Sequence, residues 1–235
     1  MAHTRFFSAL AILASLAAGC MQATDPGMNE RYTVEFGPTN TPDYAIGKKF
    51  HWTTMPVKIK YNACMVSGCS NAIENSVSNG IDFWKRNASL YGEIQTTYVS
   101  GNADIEVYYK ASTGGNVIGV CTVSLGQYSN GGVVAIKPLT LTIYTQVSGV
   151  TDSDYAFVSA HEMGHCLGLW EHSPRDGDLM YYLLTNKTGY TARDLNSIRW
   201  LYSQPTDVGT YPASASLQTD LTSVGFATSP SLVIP

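Results

Sequence analysis

Five residues, His161-Glu162-Met163-Gly164-His165, constrain this chain of 235 residues more than any other stretch. They follow the pattern H-E-x-x-H, in which two histidines stand four residues apart. Because residues at this spacing lie on one face of a helix, both imidazoles can bind the same zinc ion. Glu162 then stands beside the water that the ion activates and can take its proton as a general base. The motif therefore predicts a helix that carries a hydrolytic zinc site.

The pattern continues in the residues that follow. Gly168 is placed to end the helix, and His172-Ser173 and Met180 come after it. The stretch resembles the motif H-E-x-x-H-x-x-G-x-x-H of the metzincin zinc metalloproteases, and within them the matrixins, in which Ser and a later Met follow. The resemblance covers roughly residues 45–205. It implies an α+β domain with a mixed five-stranded sheet, an active-site helix, one catalytic zinc ion and a Met-turn at Met180.

Two residues, Glu171 and His172, are candidates for the third zinc ligand. Counting from the helix places the family's third histidine at Glu171, where snapalysin-like metzincins have Asp. Counting back from Met180 gives His172, followed by Ser173 as in matrixins. Nitrogen and oxygen both suit zinc. We favour His172, because a loop after Gly168 absorbs an added residue easily, and Glu171 can then be an acceptor for a ligand histidine.

Tyr182 stands where astacins and serralysins have a tyrosine that reaches the metal or the oxyanion. Matrixins commonly have proline there, so a tyrosine of the core or the rim is the alternative. His51 is expected to be a polar residue at a strand end, and the chain lacks the further histidines of a structural zinc site. Four acidic residues are candidate calcium ligands, and the alternative for them is an ordinary capping or solvated role: Asp152, Asp154, Asp176 and Asp178.

Apolar periodicity predicts the secondary structure. Alternation indicates strands near residues 56–61, 94–99, 103–110, 117–125 and 132–136, with a tight turn at Asn130-Gly131. Apolar stripes and caps indicate helices near residues 70–90, 154–167 and 191–202. The resemblance makes residues 117–125 the edge strand of the sheet, which would pair with an extended peptide substrate by strand addition.

The first 19 residues read as a signal peptide, with Arg5 before an apolar run. Leu16-Ala17-Ala18-Gly19-Cys20 resembles a bacterial lipobox, which implies cleavage before Cys20 and lipidation of its thiol. The alternative is ordinary secretion. We predict a lipidated Cys20 with a tether over residues 20–45, a catalytic domain over 46–205 and a weakly ordered tail rich in Ser, Thr and Pro over 206–235. The expected location is the bacterial cell envelope, at an outer-membrane, periplasmic or extracellular face, held by lipid alone.

Four cysteines remain if Cys20 is lipidated, and an oxidising compartment favours disulfides between them. Four cysteines allow three pairings. We favour Cys64 with Cys69, which bracket a short turn, and by elimination Cys121 with Cys166, which would tie the active-site helix to the strand at 117–125. The alternative is that Cys121 and Cys166 are buried free thiols.

Charge excludes one class of partner. The chain has 14 Lys and Arg against 18 Asp and Glu and no long basic run, so we expect no binding to nucleic acid. We expect a monomeric metalloendopeptidase that acts on peptides or proteins. The alternative from another class is a catalytically inactive surface lipoprotein that keeps the fold for binding, which the intact His161, Glu162 and His165 disfavour.

Overall fold

A computed structural model of the chain describes residues 30–88, 96–112, 114–185, 188–212, 221–229 and 232–233. The predicted signal peptide at residues 1–19, Cys20 and the first part of the tether lie outside these residues, so those statements stay predictions. Within the described ranges, no helix is long and apolar enough to cross a membrane.

The described ranges contain three α-helices and eight strands. The helices are α1 (Asn71–Ala88), α2 (Tyr155–Cys166) and α3 (Ala192–Ser203). The strands are β1 (Val57–Tyr61), β2 (Thr96–Tyr98), β3 (Ile105–Ala111), β4 (Val117–Tyr128), β5 (Val133–Thr145), β6 (Val208–Pro212), β7 (Leu221–Thr228) and β8 (Leu232–Val233). The predicted α+β class is confirmed, and each predicted helix and strand has its counterpart.

One mixed sheet contains all of these strands, in the order β2-β1-β3-β5-β4-β7, with β6 paired to β5 and β8 paired to β4. The pairs β1–β2, β1–β3, β3–β5 and β5–β6 are parallel. Strand β4 runs antiparallel to β5, and the two join at a tight turn where the Gly131 N–H donates to the Tyr128 carbonyl over 2.9 Å. The turn predicted at Asn130-Gly131 is therefore present.

Helices α1 and α2 pack against each other over the sheet. The apolar stripe of α1 is buried as its spacing predicts, through Ile73, Val77, Ile81 and Trp84. The Trp84 indole donates to the Ala160 carbonyl of α2 over 2.6 Å. This contact fixes helix α2 near its centre.

The prediction of a five-stranded sheet was wrong. The five predicted strands are β1 to β5, and three more come from residues 206–235, which we expected to be weakly ordered. Strand β4 is consequently not an edge strand, because β7 and β8 pair with its outer side. The composition of the tail, dominated by Ser, Thr, Gly and Pro, concealed this pairing, because backbone hydrogen bonds to a distant strand do not depend on side-chain type.

The predicted tether was also too long, because residues 30–45 are part of the domain. Tyr32, Val34 and Phe36 are buried in the core. Phe36 stacks on Trp170 with ring centroids 4.5 Å apart, and its N–H donates to the Lys48 carbonyl. Tyr32, Val34 and Phe36 alternate with polar residues, a signal that the sequence analysis overlooked because the segment is short.

Candidate metal centre

Helix α2 ends at Cys166, and Gly168, which the sequence predicts as its stop, follows two residues later. Gly168 has a φ of 116°, a left-handed conformation that residues with a side chain rarely adopt. A Cβ at this position would also lie 2.1 Å from the Phe50 carbonyl oxygen. The chain can therefore turn back toward the helix only with glycine here, and this turn brings the loop after α2 beneath the predicted ligands.

The structure brings three imidazoles to one point. His161 and His165 come from α2 and His172 from the following loop, and their potential ligand atoms lie within 4.8 Å of one another. The Nε2 atom of His161 is 3.1 Å from Nε2 of His165 and 3.1 Å from Nε2 of His172. Among the described residues, these three histidines form the one cluster of His, Cys, Asp and Glu that could hold a metal ion.

Backbone carbonyls fix the tautomers of the two helical histidines. The Nδ1 atom of His161 contacts the Leu179 carbonyl at 2.7 Å, and Nδ1 of His165 contacts the Leu169 carbonyl. A carbonyl only accepts, so each Nδ1 carries the proton and each Nε2 presents a lone pair. Burial lowers the pKa of His161 to about 4 and that of His172 to about 3, and it lowers the pKa of His165 as well. The imidazoles are therefore neutral at pH 7.

These facts fit a zinc ion. Two neutral Nε2 atoms that both carry lone pairs repel each other at 3.1 Å unless a cation lies between them. A tetrahedral ion with Zn–N distances of about 2.0–2.1 Å places its nitrogen ligands about 3.3 Å apart. The spacing in this structure is close to that value. The donor set, three neutral imidazoles with oriented rings, is one that zinc prefers.

Glu171, the alternative third ligand, lies outside this cluster. Its carboxylate packs against the backbone of Gly37, where a Cβ would come within 1.5 Å of Oε1. Partial burial raises the pKa of the Glu171 carboxyl. His172 is thus the candidate that lies in the cluster, and Glu171 lines a cavity of about 750 Å³ between the loop and residues 31–47.

Glu162 is fully buried between α2 and β4. Its side chain lies directly over Gly119, where a Cβ would come within 2.6 Å of Cγ. The Ser229 hydroxyl donates to Oε2 of Glu162 over 3.4 Å. Glu162 directly follows His161 in α2.

Met180 packs beneath the helix as the resemblance implies. A Cβ on Gly164 would lie 2.5 Å from its sulfur, so the close approach depends on glycine in α2. The carbonyl that orients His161 belongs to the preceding residue, Leu179. The turn therefore supports helix α2 through Met180 and orients the His161 ring through the Leu179 carbonyl.

Asp194 holds this turn, and sequence reasoning missed that role by treating it only as a helix-cap residue. Its carboxylate accepts the N–H groups of Leu179 at 2.9 Å and Met180 at 3.2 Å, and the N–H of Thr191 at 2.8 Å. The Tyr32 hydroxyl donates to it as well, over 3.2 Å. The capping-box spacing of Thr191 and Asp194 was visible in the sequence, but the turn lies fifteen residues earlier in the chain.

The remaining candidates lie apart from the cluster or at its rim. Tyr182 is 44% exposed, and its ring centroid is 6.2 Å from that of His172. Nε2 of the buried His51 is 2.9 Å from the Gln204 carbonyl, which is a structural contact. The four calcium candidates all have protein partners: Asp152 with Ser70, Asp154 with Thr151, Asp176 with Thr185 and Asp178 with Arg193.

The described residues contain two disulfides, Cys64–Cys69 and Cys121–Cys166. This confirms the favoured pairing. The second bridge joins β4 to the last residue of α2, directly after His165. The Trp52 indole donates to the Cys166 carbonyl over 2.9 Å at the same place. Strand β4 and helix α2 are therefore fixed to each other.

Comparison with known families agrees with this geometry. Residues 128–203 match the model of the matrixin family. The matched segment is therefore similar to matrixins. The segment runs from the last residue of β4 to the last residue of α3 and includes the three histidines, Glu162 and Met180. This confirms the resemblance to matrixin-type metalloproteases. No curated protein matches the chain.

Proposed function

We propose that the protein is a zinc-dependent endopeptidase that hydrolyses peptides or proteins, with His161, His165 and His172 as zinc ligands and Glu162 as general base. The observation that carries this proposal is the convergence of three neutral imidazoles, two of them with their Nε2 lone pairs fixed toward a common point. Such an arrangement is unfavourable without a cation and suited to zinc with one. The matrixin segment supports peptide hydrolysis as the reaction.

The roles of the protein groups follow from their positions. Zinc, when bound, lowers the pKa of a water molecule and polarises the carbonyl of the scissile bond. The Leu179 and Leu169 carbonyls keep the rings of His161 and His165 in the ligating tautomer. The Glu162 carboxylate accepts the proton of the attacking water and returns it to the leaving amine. Its burial excludes bulk water from this transfer.

The rival function, an inactive metzincin-fold binding protein, is not favoured. A protein that has lost catalysis no longer needs the general base or the ligands, so one of them is expected to be replaced. Glu162 is present, and the third ligand that appeared displaced in the sequence is supplied by His172. An insertion of one residue in the loop after Gly168 accounts for the shift.

The metal content of two variants tests the ligand set. We expect His172→Ala to lower zinc affinity by about 100-fold or more, because loss of a direct ligand exceeds the 10–100-fold cost of losing an outer partner. Glu171→Ala is the matched control and should retain one zinc ion per chain. Zinc per chain is measured by elemental analysis after dialysis against a weak chelator. Loss of zinc from Glu171→Ala and retention by His172→Ala would overturn the assignment.

We also propose that Cys20 is lipidated and holds the monomer at the bacterial cell envelope. The support is the lipobox-like sequence before Cys20 and the signal-like run that precedes it. Expression with a labelled fatty acid tests this proposal. We expect label in the membrane fraction of wild type and none in Cys20→Ser, which should become soluble in the exported compartment. Equal labelling of the two proteins would contradict it.

A further inference from the structure

The last described part of the chain lies along the outer edge of β4. Strand β7 pairs antiparallel with β4 from Thr122 to Tyr128, and β8 continues along the same edge opposite Val117 and Gly119. Ser229, which follows β7, also pairs with β4. Its N–H donates to the Cys121 carbonyl over 2.8 Å, and its Oγ accepts the Cys121 N–H over 3.1 Å. Residues 221–229 and 232–233 thus pair with β4 from Val117 to Tyr128.

This segment also reaches the general base of the proposed site. The Ser229 hydroxyl is 3.4 Å from Oε2 of Glu162, and Ser229 is almost fully buried. Leu232 of β8 stands opposite Gly119, the residue against which Glu162 packs. Strand β8 also contacts helix α2. The segment therefore passes over the catalytic carboxylate and not merely along a remote part of the sheet.

Contacts from the N-terminal part of the domain hold the segment in place. The Thr228 N–H donates to the Asn40 carbonyl over 3.2 Å. Gly225 packs against Pro42, where a Cβ would come within 2.7 Å of Cγ. The Tyr44 hydroxyl, on the same turn, donates to the Leu125 carbonyl of β4 over 2.9 Å. Residues 40–44 thus clamp β7 onto β4.

A peptide substrate that binds by strand addition needs the same backbone groups of β4, because the other side of this strand is paired with β5. We propose that residues 221–229 and 232–233 are an internal occupant of the peptide-binding edge, and that this segment and an extended peptide substrate exclude each other. A covalently attached competitor acts at an effective concentration on the order of mM, so it suppresses substrates at lower concentrations. This inference rests on the proposed function.

The test uses the full chain with the recognition sequence of a site-specific protease inserted between residues 216 and 217. After zinc loading, the chain is cut and the released segment is removed by gel filtration. Cleavage of a quenched fluorescent peptide is measured before and after the cut. We expect at least about a ten-fold rise in kcat/KM, carried by a lower KM because the segment competes with substrate. Glu162→Gln in the same background identifies any cleavage that does not come from this site.

A binding measurement is independent of catalysis. A fluorescent synthetic peptide of residues 221–235 should bind the cut chain and be displaced by an unlabelled extended peptide. A point variant tests the clamp without cutting the chain: Gly225→Val meets the rigid ring of Pro42 and should raise activity. Val224→Thr, on the 48% exposed neighbouring side chain, is the matched control and should leave activity unchanged.

The outcomes separate the two proposals. Higher activity after the cut, together with displacement of the synthetic segment, supports both. No peptide cleavage in either form, but displacement of the segment by extended peptides, supports the shared edge and contradicts the endopeptidase. Equal activity before and after removal of the segment overturns the inference and leaves the endopeptidase standing. Neither cleavage nor displacement overturns both.

Discussion

Replacement of Glu162 with glutamine is expected to lower kcat/KM for peptide cleavage by about 10²–10⁴-fold, the usual contribution of a general base. Glutamine keeps the size of the buried side chain and its fit over Gly119, but the amide does not take a proton at neutral pH. Zinc should remain at one ion per chain, because Glu162 is not part of the histidine cluster. The measurement is peptide cleavage by the cut chain, paired with elemental analysis.

Glu171→Gln is the matched control for this experiment. Glu171 lies beside His172 in the chain, yet its carboxylate packs against Gly37 and not in the histidine cluster. The change should leave kcat within about two-fold of wild type, in the range of substitutions away from the reacting groups. Retention of full activity by Glu162→Gln would remove the carboxylate from the mechanism.

Loss of the Cys121–Cys166 bridge is expected to lower the free energy of unfolding by about 4 kcal/mol, from the chain entropy of a closed loop of this length. The two cysteines are 45 residues apart in sequence, and both are buried. The double variant Cys121→Ser/Cys166→Ser also buries two hydroxyl groups, which adds to the loss. Urea unfolding followed by tryptophan fluorescence measures the change.

The Cys64→Ser/Cys69→Ser variant is the control for that comparison. Its cysteines are only five residues apart, so the same reasoning gives a loss of about 2 kcal/mol. The longer bridge also fixes α2 to β4, so its loss should weaken zinc retention, whereas loss of the short bridge should not. Equal losses of stability and equal zinc retention in the two variants would show that the bridge does not support the site.

Local patterns predicted most of the fold. The stripe of Ile73, Val77 and Ile81 gave α1, and the H-E-x-x-H spacing with Gly168 gave α2 and its end. These features depend on residues within one or two helical turns, which is the range over which periodicity and capping act. The strands β1 to β5 were found for the same reason, because alternation is a property of each strand alone.

Features that depend on distant contacts were missed. Nothing near Ser229 indicates that it pairs with Cys121, which is more than 100 residues earlier in the chain. Likewise, Asp194 is recognisable as a capping residue, but its hold on Leu179 and Met180 requires the folded arrangement of α3 beside the turn. The alternation of Tyr32, Val34 and Phe36 with polar residues is short and was overlooked, so the start of the domain was placed too late.

The third ligand illustrates how far a motif alone reaches. Spacing along a helix is fixed, so His161 and His165 followed directly from the sequence. Beyond Gly168 the chain is a loop, where spacing in sequence no longer determines position in space. Only the path of that loop, which turns Glu171 toward Gly37 and His172 toward the helix, distinguishes the two candidates.

The most direct test of the central claim is to follow zinc content and peptide cleavage in one preparation of the cut chain, before and after a strong chelator and again after zinc is restored. We expect one zinc ion per chain, loss of cleavage with the metal, and recovery of both on addition of zinc. Undiminished cleavage by the metal-free chain, or one bound zinc ion without any peptide cleavage, would contradict it.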